Sequence, residues 1–324
     1  MPETAASFFV GPVPVYGDVI LAPMDGYSDW PFRSLCRSLG SAMSYTEFVK
    51  SEDIVHLFRR VRAKMTFEEA ERPVTIQIYG DDPQVMLEAA LIAQDLGPDI
   101  IDVNMGCPAK SVAHRGCGVG LMRNPRRVGE IFAKLTANLR IPVTGKIRLG
   151  WDDCINYREV ARIAEDNGAA LLAVHGRTKN QGYGGQANWD AIGEVKSLVR
   201  IPVIGNGDVR RVADIQKMKN HTGCDAVMIG RGAIANPWIF AGLDREAVTP
   251  EQVRQAMRQH LEKNVAFYGD EDGERLFRKH AMHYLGLHSL DREARKNILR
   301  KRPPGEYMDI LREIELQMES AAQE

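Results

Sequence analysis

No apolar run in this chain is long enough to cross a membrane. Its first hydrophobic cluster, Phe8-Phe9-Val10, is far too short for a secretory signal and lacks the basic flank such a signal carries. Cysteine is scarce and unpatterned: five residues, at 36, 107, 117, 154 and 224, with no C-x-x-C pair and no Cys/His cluster at metal-ligand spacing. That odd, scattered set argues against a disulfide framework, fits a reducing cytoplasm and predicts no metal. There is no solenoid-type repeat and no low-complexity tract. No heptad seam or large apolar stripe calls for a dimer, so a monomer is expected. Net charge is also nearly absent, at −1, and by itself names no partner. The 324 residues, 44% hydrophobic and 26% charged, make a soluble globular chain with room for one large domain and a small one.

Short apolar runs recur at 19–22, 42–48, 74–79, 100–104, 143–148, 171–175, 203–205 and 226–229. Most are β-branched-rich and continuous rather than alternating, the pattern of strands buried on both faces. Helical patterns lie between many of them. Asp81-Asp82-Pro83 supplies cap residues and a first-turn proline for a helix that Gly97 should close, and residues 28–40 carry similar signals. Eight β–α units over roughly 225 residues predict a (β/α)8 TIM barrel, an α/β fold. A doubly wound sheet is the alternative, but it rarely needs eight such evenly spaced units.

At 249 the pattern changes. Thr249-Pro250-Glu251-Gln252 is a capping box with proline at the first helical position, and Val253, Met257, Leu261 and Val265 then recur every four residues. Further helices are predicted at about 274–287, 289–300 and 305–320. The expected division is a barrel over 1–248 and a C-terminal all-α helical bundle over 249–324. Charge divides unevenly too. Residues 275–302 hold nine Lys/Arg against two Asp/Glu, a local +7 that leaves −8 for the rest. Such a run is commonly a solvated helix face, but it is also a candidate polyanion surface.

In a (β/α)8 barrel the active site forms at the C-terminal strand ends. Here those ends carry Pro23-Met24-Asp25, Glu47, Gln77, Asn104 with Cys107, Lys146, His175, Asn206-Gly207-Asp208 and Gly230-Arg231. Several have ordinary readings: Glu47 as a local ion-pair partner, Asp25 as a turn residue, His175 as a satisfied core histidine. Cys107 is less ordinary. It leaves a strand on the irregular loop Asn104-Met-Gly-Cys-Pro108, where a thiol serves chemistry more often than packing. Lys146 interrupts a buried strand, which is costly unless an anion faces it. The glycine pairs ending the seventh and eighth strands, with Arg231, suit a phosphate. A lysine and a glutamine can bond the carbonyl edge of a flat heteroaromatic ring, and Lys146 would stabilise an anionic reduced flavin.

Taken together, residues 21–32 (LAPMDGYSDWPF), 77–80 (QIYG), 102–108 (DVNMGCP), 116–122 (GCGVGLM), 146–150 (KIRLG), 175–185 (HGRTKNQGYGG), 205–209 (GNGDV) and 228–232 (MIGRG) resemble the tRNA-dihydrouridine synthases. The match runs in order over roughly residues 17–242 and continues more loosely beyond. The resemblance implies an FMN-dependent cytoplasmic enzyme that reduces uridines of tRNA with NADPH or NADH. It assigns Pro23, Met24 and Asp25 to the flavin's side, and Gln77 and Lys146 to the isoalloxazine. His175 would sit beside the ring or ribityl chain, and Asn206, Gly207, Asp208, Gly230 and Arg231 would hold the phosphate. Cys107 would be the general acid, Asn104 a uracil contact and Arg177 an RNA or substrate contact. The 275–302 helices would offer tRNA a basic surface. Two departures are mild: Asp25 stands where the family often has alanine, and Asn188 where it often has aspartate. Two other functions remain open to the residues themselves: an FMN barrel reductase acting on a small molecule, dihydroorotate dehydrogenase-like, and a non-redox phosphate-binding barrel or RNA-binding module.

Overall fold

The computed structural model describes residues 5–285. The helices expected at 289–300 and 305–320, and the basic residues beyond 285, lie outside the described residues. Eight parallel strands form one ring: β1 Val19–Leu21, β2 Ser44–Tyr45, β3 Val74–Tyr79, β4 Ile100–Met105, β5 Val143–Ile147, β6 Leu172–His175, β7 Val203–Asn206 and β8 Ala226–Ile229. From β2 to β8 each pairs with the next in sequence, and β8 pairs back onto β1 from Val227–Val19 to Ile229–Leu21. Only the β1–β2 seam lacks a ladder. There the Ala42 amide donates to the Val19 carbonyl at 2.8 Å and the Leu21 amide to Ser41 Oγ at 3.0 Å. This order is that of a barrel, and the doubly wound alternative falls away.

The unbroken apolar runs follow from burial on both sides. All six residues of β4 are buried. Ile20, Tyr45, Ile100, Ala173, Ile204 and Met228 join one cluster that includes a hairpin of Phe8–Val10 and Val13–Val15. Alternate positions such as Leu21, Ile76, Ile101 and Val203 join a second cluster with the surrounding helices. The hairpin's three-residue strands were too short to register as a periodic pattern.

One strand expectation is corrected. The run 42–48 is not one strand: it breaks into Ser44–Tyr45 and Val49–Lys50, both pairing with β3. At the break Thr46 Oγ1 takes the Gln77 amide at 3.1 Å, and Glu47 turns to accept the Gly26 amide at 2.5 Å.

The helices begin where their caps lie. Asp29 Oδ1 accepts the Phe32 amide at 3.3 Å to open α1 (Trp30–Ser38). After α2 (Ser51–Val61), Asp82 accepts the Gln84 and Val85 amides at 2.8 and 3.0 Å to open α3 (Pro83–Gln94). Next come α4 (Pro125–Asn138), α5 (Tyr157–Asp166), α6 (Trp189–Leu198), α7 (Val212–Thr222) and the single turn α8 (Arg231–Ala235). The Thr249–Gln252 box opens α9 (Pro250–Tyr268), with bonds of 2.8 and 3.2 Å. α10 (Asp270–Leu285) starts four residues before the expected 274, on an acidic first turn that favours a helix N-terminus.

Val253, Met257, Leu261, Phe277, Ala281 and Tyr284 pack with Leu35 and Trp238 of the barrel. Inside this joint lies a polar knot. One potential ligand atom each of Asp29, His260 and His280 lie within 4.8 Å of one another. The Tyr268 hydroxyl donates to Asp29 Oδ2 at 3.2 Å, and His260 Nδ1 lies 3.0 Å from the Tyr284 hydroxyl. Two of the basic residues expected on an RNA surface are engaged here by the protein itself. Arg275 pairs with Asp272 at 2.7 Å, while Lys279 reaches the Gly26 carbonyl and sits 5.2 Å over the Tyr27 ring.

Candidate functional site

The loops leaving the strand ends enclose a cavity of about 1090 Å3. That is the upper end of small-molecule pockets, with room for a cofactor and part of a substrate. Nine Lys/Arg and four Asp/Glu line it, so the cavity is cationic although the whole chain is nearly neutral.

Its floor is built by β5 to β8. Lys146 Nζ donates to Asn206 Oδ1 at 3.1 Å, and Asn206 Nδ2 to the Met228 carbonyl at 2.7 Å. Burial, and then the nearby Arg148 guanidinium, lower the Lys146 ammonium to about 8. His175 is held well below its ordinary value by burial and by the charges of Arg148, Lys146, Arg177 and Arg231, so its imidazole is neutral.

Cys107 is set by a buried relay of side chains. Thr144 Oγ1 and Gln77 Nε2 donate to the two Asp102 oxygens at 2.6 and 2.7 Å. Asn104 Nδ2 donates to Gln77 Oε1 at 2.8 Å, and Asn104 Oδ1 accepts the Gly106 and Cys107 amides at 3.1 and 2.9 Å. Asn104 thus ties the loop to the end of β4. Burial raises the Cys107 thiol above its ordinary range, partly offset by the Ala109 amide. It is therefore a protonated acid at neutral pH. Cys117 lies outside the cavity, buried with its Sγ 3.7 Å from Asp81 Oδ1, and is pushed up to about 12 mainly by burial.

Of the glycines that end β7 and β8, Gly207, Gly230 and Gly232 line the cavity. Gly207 has φ +126, and a Cβ there would meet the Ala187 Cβ at 2.7 Å. Asp208 also has positive φ, at +58. Its carboxylate is not turned to a ligand: Arg177 Nη2 holds both oxygens at 2.6 and 2.7 Å, and the Ala187 amide donates at 2.7 Å. Burial works to raise Asp208, but these bonds hold it below the usual carboxylate range. What Asp208 offers a phosphate is its backbone amide. Arg231 by contrast is exposed at the rim, its guanidinium 4.6 Å over the Tyr183 ring.

Of the expected site residues, Pro23, Met24, Asp25, Asn104, Cys107, Lys146, His175, Arg177, Asn206, Gly207, Asp208, Gly230 and Arg231 all line the cavity. Gln77 does not. It is fully buried one layer down, both ends of its amide engaged by Asp102 and Asn104. Arg177 lines the cavity but is only 1% exposed, and besides Asp208 it donates to the Gly184 and Gly185 carbonyls at 2.9 and 2.7 Å. In this geometry it clamps the 176–189 loop. Asp25, at the rim, is bridged to Lys64 at 2.6 Å.

Arg148 had no expected role. It ties the Cys107 loop to the loop after β6, donating from Nε to the Gly106 carbonyl at 2.8 Å and from Nη1 to Thr178 and Gly182 carbonyls at 3.0 and 2.9 Å. Its signal was its place two residues after Lys146, just past the end of β5. Lys110, Lys179, Arg210, Arg211 and Arg245 at the mouth were also missed. Most come from separate loops, so no local run of charge announced them.

Comparison with known proteins adds three findings. A family model described as Dihydrouridine synthase (Dus) matches residues 20–318. The tRNA-dihydrouridine synthase B of Xanthomonas axonopodis pv. citri (strain 306) is 39% identical over 313 residues, 94% of this chain and 94% of its own length. That of Pseudomonas aeruginosa is 41% identical over 285 residues, covering 85% and 86%. Among solved structures, histamine dehydrogenase from Rhizobium sp. 4-9 shares the fold at TM-score 0.55 and 13% identity, over 84% of this chain and 50% of that longer one.

Proposed function

From the chain's membership of the dihydrouridine synthase family, which the match over residues 20–318 and relatives about 40% identical establish, we propose that it reduces the C5–C6 bond of uridines in tRNA, using FMN and an external NADPH or NADH. The residues present fit FMN. Gly207 and Gly230 line the cavity without a side chain, Arg231 on the same lining adds a permanent charge, and Lys146 with Asn206 offers polar groups on the floor. Arg231 and the amides of Gly207, Asp208 and Gly230 would hold the phosphate. Lys146 would face the ring's negative charge, with Pro23, Met24 and Asp25 along the ring and neutral His175 beside it. Gln77 would act at the ring edge or, through Asn104, on the Cys107 loop. Bound and reduced, the flavin supplies a hydride.

The uracil gains one hydrogen at each carbon. Cys107, protonated at neutral pH, delivers the proton to C5 and is restored from solvent, while Asn104 holds its loop and contacts the base. Arg177 keeps the neighbouring loop in place and contacts the substrate. The uridine must leave the RNA stack to reach this depth. We assign catalysis to 1–248 and RNA docking to 249–324, in a monomer working in the cytoplasm. Among the described residues no helix is long and apolar enough to cross a membrane.

The observation that carries this reading is the Cys107 loop, tied to the end of β4 by Asn104, in a cationic cavity that Gly207, Gly230 and Arg231 also line. Mapping dihydrouridine in tRNA from cells with and without the gene is the test. The expected result is loss of dihydrouridine at defined positions, with purified protein that is yellow and reduces tRNA but not free pyrimidines. Unchanged dihydrouridine, or a protein that reduces free pyrimidines instead, would overturn it.

A further inference from the structure

After β5 the chain turns back as a two-rung hairpin, Gly150–Trp151 against Cys154–Ile155, beside the cavity mouth. Gly150 enters the hairpin at φ +117, where a Cβ would lie 2.2 Å from the Cys154 carbonyl oxygen. The hairpin is held from three sides. Lys179 N–H donates to the Gly150 carbonyl at 2.9 Å, Leu149 N–H to Arg177 at 3.0 Å, and Asn156 Nδ2 to the Met122 carbonyl at 2.6 Å.

Trp151 is only part-buried, and its ring is attended by polar groups. Lys179 Nζ lies 4.5 Å from the ring centroid, the Arg123 guanidinium 4.6 Å, and the His114 ring meets it edge-on at 5.9 Å. Lys179 also lines the cavity, so the indole and the reacting site share a side chain. The nearby acids are engaged: Asp153 with Arg123 and Asp152 with Thr178.

A part-buried indole on a rigid hairpin, rimmed by cations, has the parts of a single-strand RNA subsite. Aromatic faces stack any base, and the cations track the backbone. The reaction read above creates the need, because drawing one nucleotide out of the stack leaves its neighbours unstacked. We propose that Trp151 is the stacking platform for a base adjacent to the reacting uridine, with Lys179 taking a flanking phosphate. This rests on the tRNA-directed reading of the enzyme. Lys179, on the ring in the RNA-free protein, would move onto phosphate as the base takes its place.

The test compares FMN-loaded wild type with Trp151→Leu, Trp151→Phe and Lys179→Ala, each checked for wild-type Tm and FMN content. The ligand is an unmodified tRNA transcript. Trp151→Leu should bind tRNA about tenfold or more weakly, the order of one lost base stack, while Trp151→Phe keeps most of the affinity. Lys179→Ala should lower the slope of log K against log salt by about one phosphate contact. Wild-type affinity in Trp151→Leu overturns the platform, as does an equal loss in the Leu and Phe variants. So does a Leu variant weakened only together with its Tm, unless Trp151→Phe and Lys179→Ala show the expected pattern. If wild type itself neither binds nor reduces tRNA, the reading of the enzyme has failed, and that outcome is distinct from the others.

Discussion

Replacing Cys107 by alanine should separate the enzyme's two half-reactions, because the thiol has work only once the uracil accepts hydride. Asn104 holds the loop through the Gly106 and Cys107 amides, and Arg148 through the Gly106 carbonyl. Those bonds use backbone atoms, so the substitution leaves the loop in place and removes only the acid. Flavin reduction by NADPH should therefore run near the wild-type rate. Reoxidation by tRNA should slow by about 10²-fold or more, the usual worth of a positioned general acid, or about 2.7 kcal/mol at 1.36 per decade. The pH profile gives a second handle. The buried thiol sits above its ordinary range, so the tRNA step should stay flat through neutral pH. It should fall only above the reference thiol value of about 8.5. Anaerobic rapid-mixing spectra measure both steps on one sample. Reoxidation of Cys107→Ala at the wild-type rate, or a falling wild-type limb at pH 7, would refute the assignment. A defect confined to the NADPH step would move Cys107 into the flavin pocket.

Further expectations concern the cofactor and the joint where α9 and α10 meet α1. Arg231→Ala should lose about 2 kcal/mol of FMN affinity, the order of a charge-assisted pair. In the apoprotein, wild-type affinity should weaken as pH rises through about 8, where Lys146 loses its charge, and Lys146→Met should abolish that dependence; isothermal titration of FMN reads both. At the joint, burial lowers His260 to about 3 and His280 well below its ordinary value, while it raises Asp29 to about 6. Below the reference histidine value of about 6.5 the undocked histidines take up protons that the docked ones refuse, so docking weakens as pH falls. Asp29 opposes this below about 6, because its docked form keeps the proton. Two histidines against one carboxyl leave a net weakening of docking as pH falls. Proteolysis of the C-terminal helices between pH 7 and 5 should accelerate accordingly, and His280→Asn should flatten the trend; no pH dependence would show that the histidines are not desolvated.

Local chemistry made much of this protein legible. Continuous apolar runs announced the strands other than the broken 42–48 segment, because a strand buried on both faces has no polar side to show. Asp29, Asp82 and Thr249 announced their helices, because a cap acts within three residues of itself. Cys107, Lys146 and the two glycine pairs stood out because each is awkward where it stands unless something binds there. What could not be read locally depends on residues far apart in sequence. The partners of the Gln77 amide, Asp102 and Asn104, lie 25 and 27 positions away. The partner that holds Arg177 in the loop, Asp208, lies 31 positions on. The cationic mouth arises because the barrel gathers single charges from separate loops into one cavity, and Asp29 meets His260 and His280 only because α9 and α10 fold back onto α1. A sequence states what each residue can do with its near neighbours; which distant groups consume that capacity, and which are left for a ligand, is decided by closure of the ring.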